Sequence, residues 1–274
     1  MNTRVLGRGA AAMKTSAQGF GCMGMTAFYG KPMSNVAAEE LLVNAFKNGI
    51  THWDTAEVYQ GKNDDGSVLY NESQVAFGIK AVNNRDALQI CTKYMPRLHG
   101  KTMSAEMCIN ACKDSCERLG VAYVDLYYVH RMHNKVSVEE QAKAMLAVKN
   151  SGLAKHIGLS EFSPKNIRKF HAICPVTCVQ QEWSLINRDL EDDIAPTCRE
   201  LGIGIVAYSP LSRSILSDEV AKLGKTTATA KGDKNDLRAS RYPRLSAENL
   251  PKNAKLVQGV QKIASSKKLT LAQL

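Results

Sequence analysis

The chain has 274 residues, 44% of them hydrophobic, enough for one sizeable core, and its formal net charge is +10. No apolar run reaches the roughly 18 residues of a membrane span, and the N-terminal MNTRVLGRGAAAMKTSAQGF lacks the apolar core of a secretory signal, so membrane and exported proteins are set aside and a cytoplasmic location is expected. The basic residues are dispersed, aromatics are only 6% and no helix carries a continuous basic stripe; the charge does not mark a nucleic-acid binder and fits a phosphorylated small molecule equally well.

In chain order, short apolar runs alternate with amphipathic helical ones. Strands are expected at GFGCM (19–23), ITHWD (50–54), LQICTK (88–93), VDLYYVH (124–130), HIGLS (156–160), VTCVQ (176–180) and IGIVAYS (203–209). Most are nearly continuous in apolar residues, the pattern of strands buried on both faces. A helix is expected over 36–49, ending at Gly49. Asn71 with Gln74 opens the next in capping-box form, Ser104 opens one that stops at Gly120, and Ser137 with Glu140 opens one that ends at Gly152. Ser163-Pro164 reads as an N-cap with proline at the first helical position, and Asp192 begins a helix closed by Gly202. Strand–helix alternation with short links means parallel βαβ units. With no linker or composition break, residues 1–274 are expected to form a single α/β domain, a TIM-type (β/α)8 barrel. GFGCMG (19–24) approaches a dinucleotide-binding glycine motif, but no helix follows it at once, which weakens the open-sheet alternative.

Eight dispersed cysteines in a chain this long do not make a disulfide scaffold and read as reduced thiols. Cys108, Cys112 and Cys116 repeat at i, i+4, i+8, which puts them on one helix face with Leu119. Metal cysteines sit on turns with tighter spacing, so a core face is favoured over a metal or cluster site.

The odd polar residues carry the functional signal. Asp54, Lys93, His130, Ser160 and Gln180 each stand at the C-terminal end of an expected strand. In a barrel those ends converge on one mouth, where active sites lie. Taken singly, Asp54 could cap a turn, Lys93 could snorkel, Tyr59 could be packing and His130 a satisfied core histidine. Taken together they make a set. A buried lysine and a buried aspartate need each other, because either charge alone costs several kcal/mol. An ammonium beside the Tyr59 phenol favours the phenolate and is expected to lower the pKa of Tyr59 from about 10. A histidine beside them can orient a carbonyl oxygen. The set suits protonation of a carbonyl oxygen as hydride reaches its carbon. His130 and His133 lack a carboxylate nearby in sequence, so a metal pair is not favoured, and no metal is expected.

GFGCMGM (19–25), WDTAEVY (53–59), CTKY (91–94), DLYYVHR (125–131), GLAKHIGLSEFS (152–163), VQQEWSLINR (179–188) and GIGIVAYSPL (202–211) resemble, in order, the signatures of the aldo-keto reductase family. The resemblance covers nearly the whole chain. It implies a (β/α)8 barrel that binds NADP(H) in extended form and reduces aldehydes or ketones. It implies Tyr59 as proton donor tuned by Lys93 and Asp54, and His130 as the residue that orients the substrate carbonyl. Ser160, Glu161 and Gln180 would hold the nicotinamide carboxamide, although many members carry asparagine where Glu161 stands. Tyr208 would stack on the nicotinamide ring, Gly21, Cys22 and Met23 would border it, and Ser209, Leu211 and Ser212 would lie along the pyrophosphate. Phe28, Tyr29, Trp53, Met95, Arg131 and Trp183 are the substrate-rim candidates and suit aromatic or apolar carbonyls.

The loop QGKNDDGSVLY (60–70) is long and polar and is expected at the rim, or as a solvated loop. The chain ends at KKLTLAQL, where the family continues through strand eight and further helices. The resemblance thus implies a truncated, incomplete barrel: either a fragment, or a barrel closed in another way. KTTATAKGDKNDLRASRYPR (225–244) carries Lys231, Lys234, Arg238 and Arg241; it could fold over a phosphate, or be a mobile solvated loop. A catalytically weak nucleotide-binding scaffold, an auxiliary subunit or a non-functional fragment are the alternatives to a reductase.

Overall fold

A computed structural model of the chain describes residues 2–63, 65–223 and 236–274. They form two compact units: Met1–Ala27, Pro32–Gln181 and Leu190–Val206 make the first; Phe28–Lys31, Glu182–Asp189 and Ala207–Leu274 make the second.

The chain opens with an antiparallel hairpin, β1 (Thr3–Leu6) and β2 (Met13–Ser16). There follow β3 (Gly19–Gly21), α1 (Asn35–Lys47), β4 (His52–Asp54), β5 (Gln60–Lys62), β6 (Val68–Tyr70), α2 (Asn71–Val82), β7 (Gln89–Tyr94) and α3 (Ala105–Leu119). Next come β8 (Val124–Val129), α4 (Val138–Asn150), β9 (Ala154–Ser160), α5 (Pro164–His171), β10 (Cys178–Glu182), α6 (Ile194–Leu201) and β11 (Gly204–Tyr208). All seven expected strands are found, and they form one seven-stranded sheet in the order β3-β4-β7-β8-β9-β10-β11. The pairings from β3 through β10 are parallel. Strand, helix, neighbouring strand is the build of a (β/α)8 barrel, and that is the fold class. Among the described residues the sheet holds no eighth strand, so β3 and β11 each have one neighbour.

Hydrophobic burial on both faces explains the strand sequences: all six residues of β8, VDLYYV, are buried. On the helix side, Leu42 of α1, Val75 of α2, Cys108, Cys112, Cys116 and Leu119 of α3, and Met145 and Val148 of α4 join one core with Tyr127 and Ile157. The three α3 cysteines are therefore core residues, and all eight thiols of the chain are free and buried. On the other face Tyr128, Leu126, Cys91 and Cys178 cluster with Leu6 and Met13 of the hairpin. Gly158 is what lets Tyr128 lie there: a Cβ at 158 would stand 2.5 Å from Tyr128 Cδ1. Gly158→Ala is expected to cost about 1–3 kcal/mol by overpacking, read as a lower urea midpoint; an unchanged midpoint would show that the ring has room to move.

The helix ends follow the sequence. Ser34 and Ser104 accept from Ala37 N and Met107 N, Ser137 and Glu140 close a capping box, and Pro164 starts α5. Gly120 and Gly202 close α3 and α6 at φ 66° and 69°. The exception is Asn71 with Gln74. Asn71 is the first residue of α2, no side chain caps that helix, and both residues are fully buried in a tertiary network. The loop at 60–70 also differs from expectation, since it folds as the antiparallel pair β5–β6.

The second unit holds α7 (Asp218–Leu223), α8 (Arg238–Arg241) and α9 (Leu250–Ser266), and Val220 of α7 and Leu250 and Val257 of α9 are buried together with Ile215, Leu245 and Leu271. Tyr29 bridges Asp236 in antiparallel fashion, and Leu237 N donates to Phe28 O at 3.0 Å. Arg238 is paired with Asp236, and the Arg241 guanidinium lies 5.7 Å from the Phe28 ring centroid. Lys231 and Lys234, the other two basic residues of the expected phosphate loop, lie outside the described residues.

Candidate active site

The parallel register sets the C-terminal strand ends side by side. Gly21 is level with Asp54, Asp54 with Cys91, Lys93 with Tyr128, and Ser160 with Gln180. Lys93 starts two residues beyond the level of Asp54 and its side chain spans that offset. Its Nζ, fully buried, donates to Asp54 Oδ1 and to Thr55 O at 2.7 Å. The second carboxylate oxygen of Asp54 accepts from Gln180 Nε2 at 2.8 Å. The aspartate at the end of β4 is thus the counter-charge of a buried lysine, held from its other side by an amide.

Tyr59 stands over this pair. The Lys93 ammonium is 5.1 Å from the Tyr59 ring centroid, and the His130 ring meets Tyr59 edge-on at 5.6 Å and 90°. The four residues expected to act together are together. Burial pulls Lys93 down, but Asp54 and then Tyr59 outweigh it, and its pKa ends above the ordinary lysine value. The expected lowering of Tyr59 is corrected: burial pushes its phenol up more than Lys93 draws it down, and Asp54 adds to the rise. Tyr59 therefore holds its proton at neutral pH, as a proton donor must.

His130 is 7% exposed, and its Nδ1 is buried without a hydrogen-bond partner. Burial first, then Lys93, Arg131 and Arg97, push its pKa down to about 2. A neutral imidazole throughout the working range follows. The unfolded chain takes up a proton at this histidine below pH of about 6.5, whereas the folded chain refuses it until about 2. Above that unfolded value the group contributes nothing; below it, acidification favours unfolding by roughly 1.4 kcal/mol per pH unit, about 2 kcal/mol at pH 5. His130→Gln is expected to lose less stability than the parent between about pH 7 and pH 5 in urea titrations; identical slopes would contradict the buried neutral state.

Ser160 Oγ accepts from Arg131 Nη1 at 3.0 Å, and the same Nη1 donates to His130 O at 2.6 Å. Glu161 sits at φ 61°, and its N–H donates to Gln180 O at 3.2 Å. Gly21 is exposed, Met23 half-buried and Cys22 fully buried, so Cys22 offers its backbone and not its thiol. Trp53 is not a rim residue: it is 0% exposed, belongs to the core, and its indole N–H donates to Ile50 O at 3.0 Å. Successive residues of a strand point to opposite faces, so Asp54 facing the site sends Trp53 toward the helices. Met95 is likewise buried, its N–H donating to Glu57 Oε1 at 2.5 Å. Phe28, Tyr29, Trp183, Tyr208, Ser209, Leu211 and Ser212 belong to the second unit. There Trp183 N donates to Tyr208 O at 3.3 Å, and Arg213 Nη1 donates to the Tyr29 hydroxyl at 2.8 Å.

Two supports of the Tyr59 loop were not anticipated. Asn71 takes its backbone N–H to Tyr59 O at 2.9 Å, while its side chain donates to Cys22 O and Thr26 Oγ1 and accepts from Thr55 Oγ1. Gln74 extends the network from Thr26 Oγ1 to Met33 O. Glu57, also buried, accepts from Met95 N and from His99 Nε2 at 3.0 Å, and the His99 ring stacks on Tyr94 at 4.5 Å. The available signal was polar residues clustered around a buried strand end; a local capping motif was the competing reading of Asn71 and Gln74, and it prevailed.

A fold of parallel β/α units with this set of residues at its strand ends defines a barrel oxidoreductase. The sequence model of the Aldo/keto reductase family matches residues 19–274, and the chain belongs to that family. The match extends to the last residue of the chain. The chain is 40% identical over 271 residues to "Probable aldo-keto reductase 1" of Glycine max, covering 97% of this chain and 74% of that protein. Among solved structures it is similar to the thermostable aldo-keto reductase Tm1743 in complex with the inhibitor epalrestat, with a TM-score of 0.68 and 26% identity over 93% of this chain and 100% of that one. The glycerol dehydrogenase AKR11B4 of Gluconobacter oxydans shares the fold, with a TM-score of 0.75 at 22% identity, over 98% of this chain and 79% of that one. The family is one of oxidoreductases acting on small-molecule carbonyl compounds. No helix among the described residues is long and apolar enough to cross a membrane.

Proposed function

We propose that this chain is an NADPH-dependent reductase of aldehydes or ketones, with Tyr59 as the proton donor. The observation that carries the reading is the convergence of Tyr59, Lys93, Asp54 and His130 on one point, with Lys93 charged, Tyr59 protonated and His130 neutral. His130 directs the substrate carbonyl oxygen toward the Tyr59 hydroxyl. Tyr59 gives that oxygen its proton, and Lys93 stabilises the phenolate left behind; Asp54 keeps Lys93 charged in a buried position.

Residues of each unit, taken by itself, suit part of a nicotinamide dinucleotide. In the first, Gln180 ties its amide nitrogen to Asp54 and leaves its carbonyl oxygen for an amide N–H, and Ser160 Oγ retains a hydrogen to donate. In the second, Ser212 Oγ is fully buried without a partner, as is Arg213 Nε, in a segment where Ser209, Ser212, Arg213 and Ser214 all have positive φ. A hydroxyl and a guanidinium nitrogen left free together suit a phosphate oxygen. Tyr208, just before them, is the aromatic proposed for the nicotinamide face. When bound, NADPH supplies the hydride that reduces the carbonyl carbon.

The test is a titration of the chain with NADPH, followed by its fluorescence, and then addition of 4-nitrobenzaldehyde. Saturable binding and then steady oxidation of NADPH are expected. Saturable binding with no oxidation would overturn the reductase reading in favour of a nucleotide-binding scaffold.

A further inference from the structure

Two arginines of the first unit flank the catalytic histidine, and neither has a carboxylate partner among the described residues. Arg131 follows His130 directly and is exposed at the end of β8. One nitrogen, Nη1, is pinned by His130 O at 2.6 Å and Ser160 Oγ at 3.0 Å, so the guanidinium is anchored beside the reacting groups while its other nitrogens have no acceptor among the described residues. Arg97 is exposed on the turn Pro96–Leu98 that follows β7. That turn is fixed at both ends by the buried Glu57, whose carboxylate takes Met95 N at 2.5 Å and His99 Nε2 at 3.0 Å. Both guanidinium groups act on His130, and Arg131 also acts on Tyr59. The acids nearby do not neutralise them. Asp54 is spent on Lys93 and Gln180, Glu57 on the turn, and Glu161 has a partner of its own. An arginine anchored through one nitrogen, with no carboxylate partner among the described residues, is pre-placed to take an anion through its remaining nitrogens.

We propose that Arg97 and Arg131 select carbonyl substrates bearing a carboxylate or another anionic group, so that this reductase prefers oxo-acids and acidic aldehydes to their neutral counterparts. The inference rests on the reductase reading above. Arg131, with a planar fork and one nitrogen pre-placed, takes the anion most directly; Arg97 adds charge from the turn after the neighbouring strand β7. The anion and the carbonyl must both be reached, so the gain falls mainly in KM. It is also screened by salt, since the Debye length shrinks from about 10 Å at 0.1 M to about 3 Å at 1 M.

The test compares 4-carboxybenzaldehyde with methyl 4-formylbenzoate, which share ring and aldehyde and differ in charge, under steady-state NADPH oxidation. The acid is expected to have kcat/KM at least about tenfold above the ester, carried by KM and reduced by 0.5 M salt. The preference is expected to fall to near parity in Arg97→Met/Arg131→Met and to be largely kept in Arg131→Lys. Equal use of acid and ester by the parent chain, or a preference that survives in the double methionine variant, would overturn the proposal while leaving the reductase reading intact. Turnover of neither aldehyde would overturn both. A second readout needs no turnover: benzoate is expected to bind the NADPH-loaded chain more tightly than benzamide by calorimetry, and equal binding would count against the arginines.

Discussion

Tyr59→Phe is expected to lower kcat by roughly a hundredfold to ten-thousandfold, the range a positioned general acid contributes, while the affinity for NADPH stays unchanged. The ring that meets His130 edge-on and covers the Lys93 ammonium is retained, and only the hydroxyl is lost. The loop keeps its backbone anchor, because Tyr59 O accepts from Asn71 N whether or not the phenol is present. The carbonyl oxygen then has no acid within reach, and water must serve. Steady-state rates with NADPH fluorescence titration measure the two quantities separately. A kcat within a few-fold of the parent would remove Tyr59 from the chemistry; a lost NADPH affinity would mark it as a binding residue instead.

Lys93→Met is expected to cost about 3–5 kcal/mol of folding stability as well as activity, because removing one partner of a buried ion pair strands the other. Asp54 would keep Gln180 but lose its counter-charge in a side chain only 15% exposed, and Thr55 O would lose its donor. Asp54→Asn with Lys93→Met should recover most of the stability and none of the activity, since the neutral pair leaves no buried charge and no cation to hold the phenolate. Urea midpoints of the two single variants and the double variant give the coupling directly. Additive losses would mean that the two charges do not depend on each other.

Much of this arrangement was readable from the sequence. Strands buried on both faces carry few charged residues, so the lysine in β7, the histidine after β8 and the glutamine in β10 stand out. Convergence of those ends needs only the parallel topology that the alternation of strands and helices imposes. The hairpin β1–β2 and the pair β5–β6 were not readable, because three or four mixed residues carry no apolar alternation, and their pairing partners are fixed by the sheet beneath them. Asn71 and Gln74 show the limit in another form. Their spacing satisfies a local capping rule, yet Thr26, Thr55 and Met33, distant in sequence, claim both side chains. The direction of the Tyr59 shift depends on how burial compares with one nearby ammonium, and a sequence gives the ammonium without the burial. Trp53 was within reach: the pleat that aims Asp54 at the site excludes its neighbour from it.

The most direct measurement of the central claim follows the hydrogen itself. The chain is given NADPH carrying deuterium at both hydrogen positions of nicotinamide C4 and an aldehyde, and the alcohol formed is weighed by mass spectrometry. The reductase account predicts one deuterium on the former carbonyl carbon, with the label absent when Tyr59→Phe replaces the parent over the same time. An alcohol without deuterium, or no alcohol from the parent chain despite bound NADPH, would contradict it.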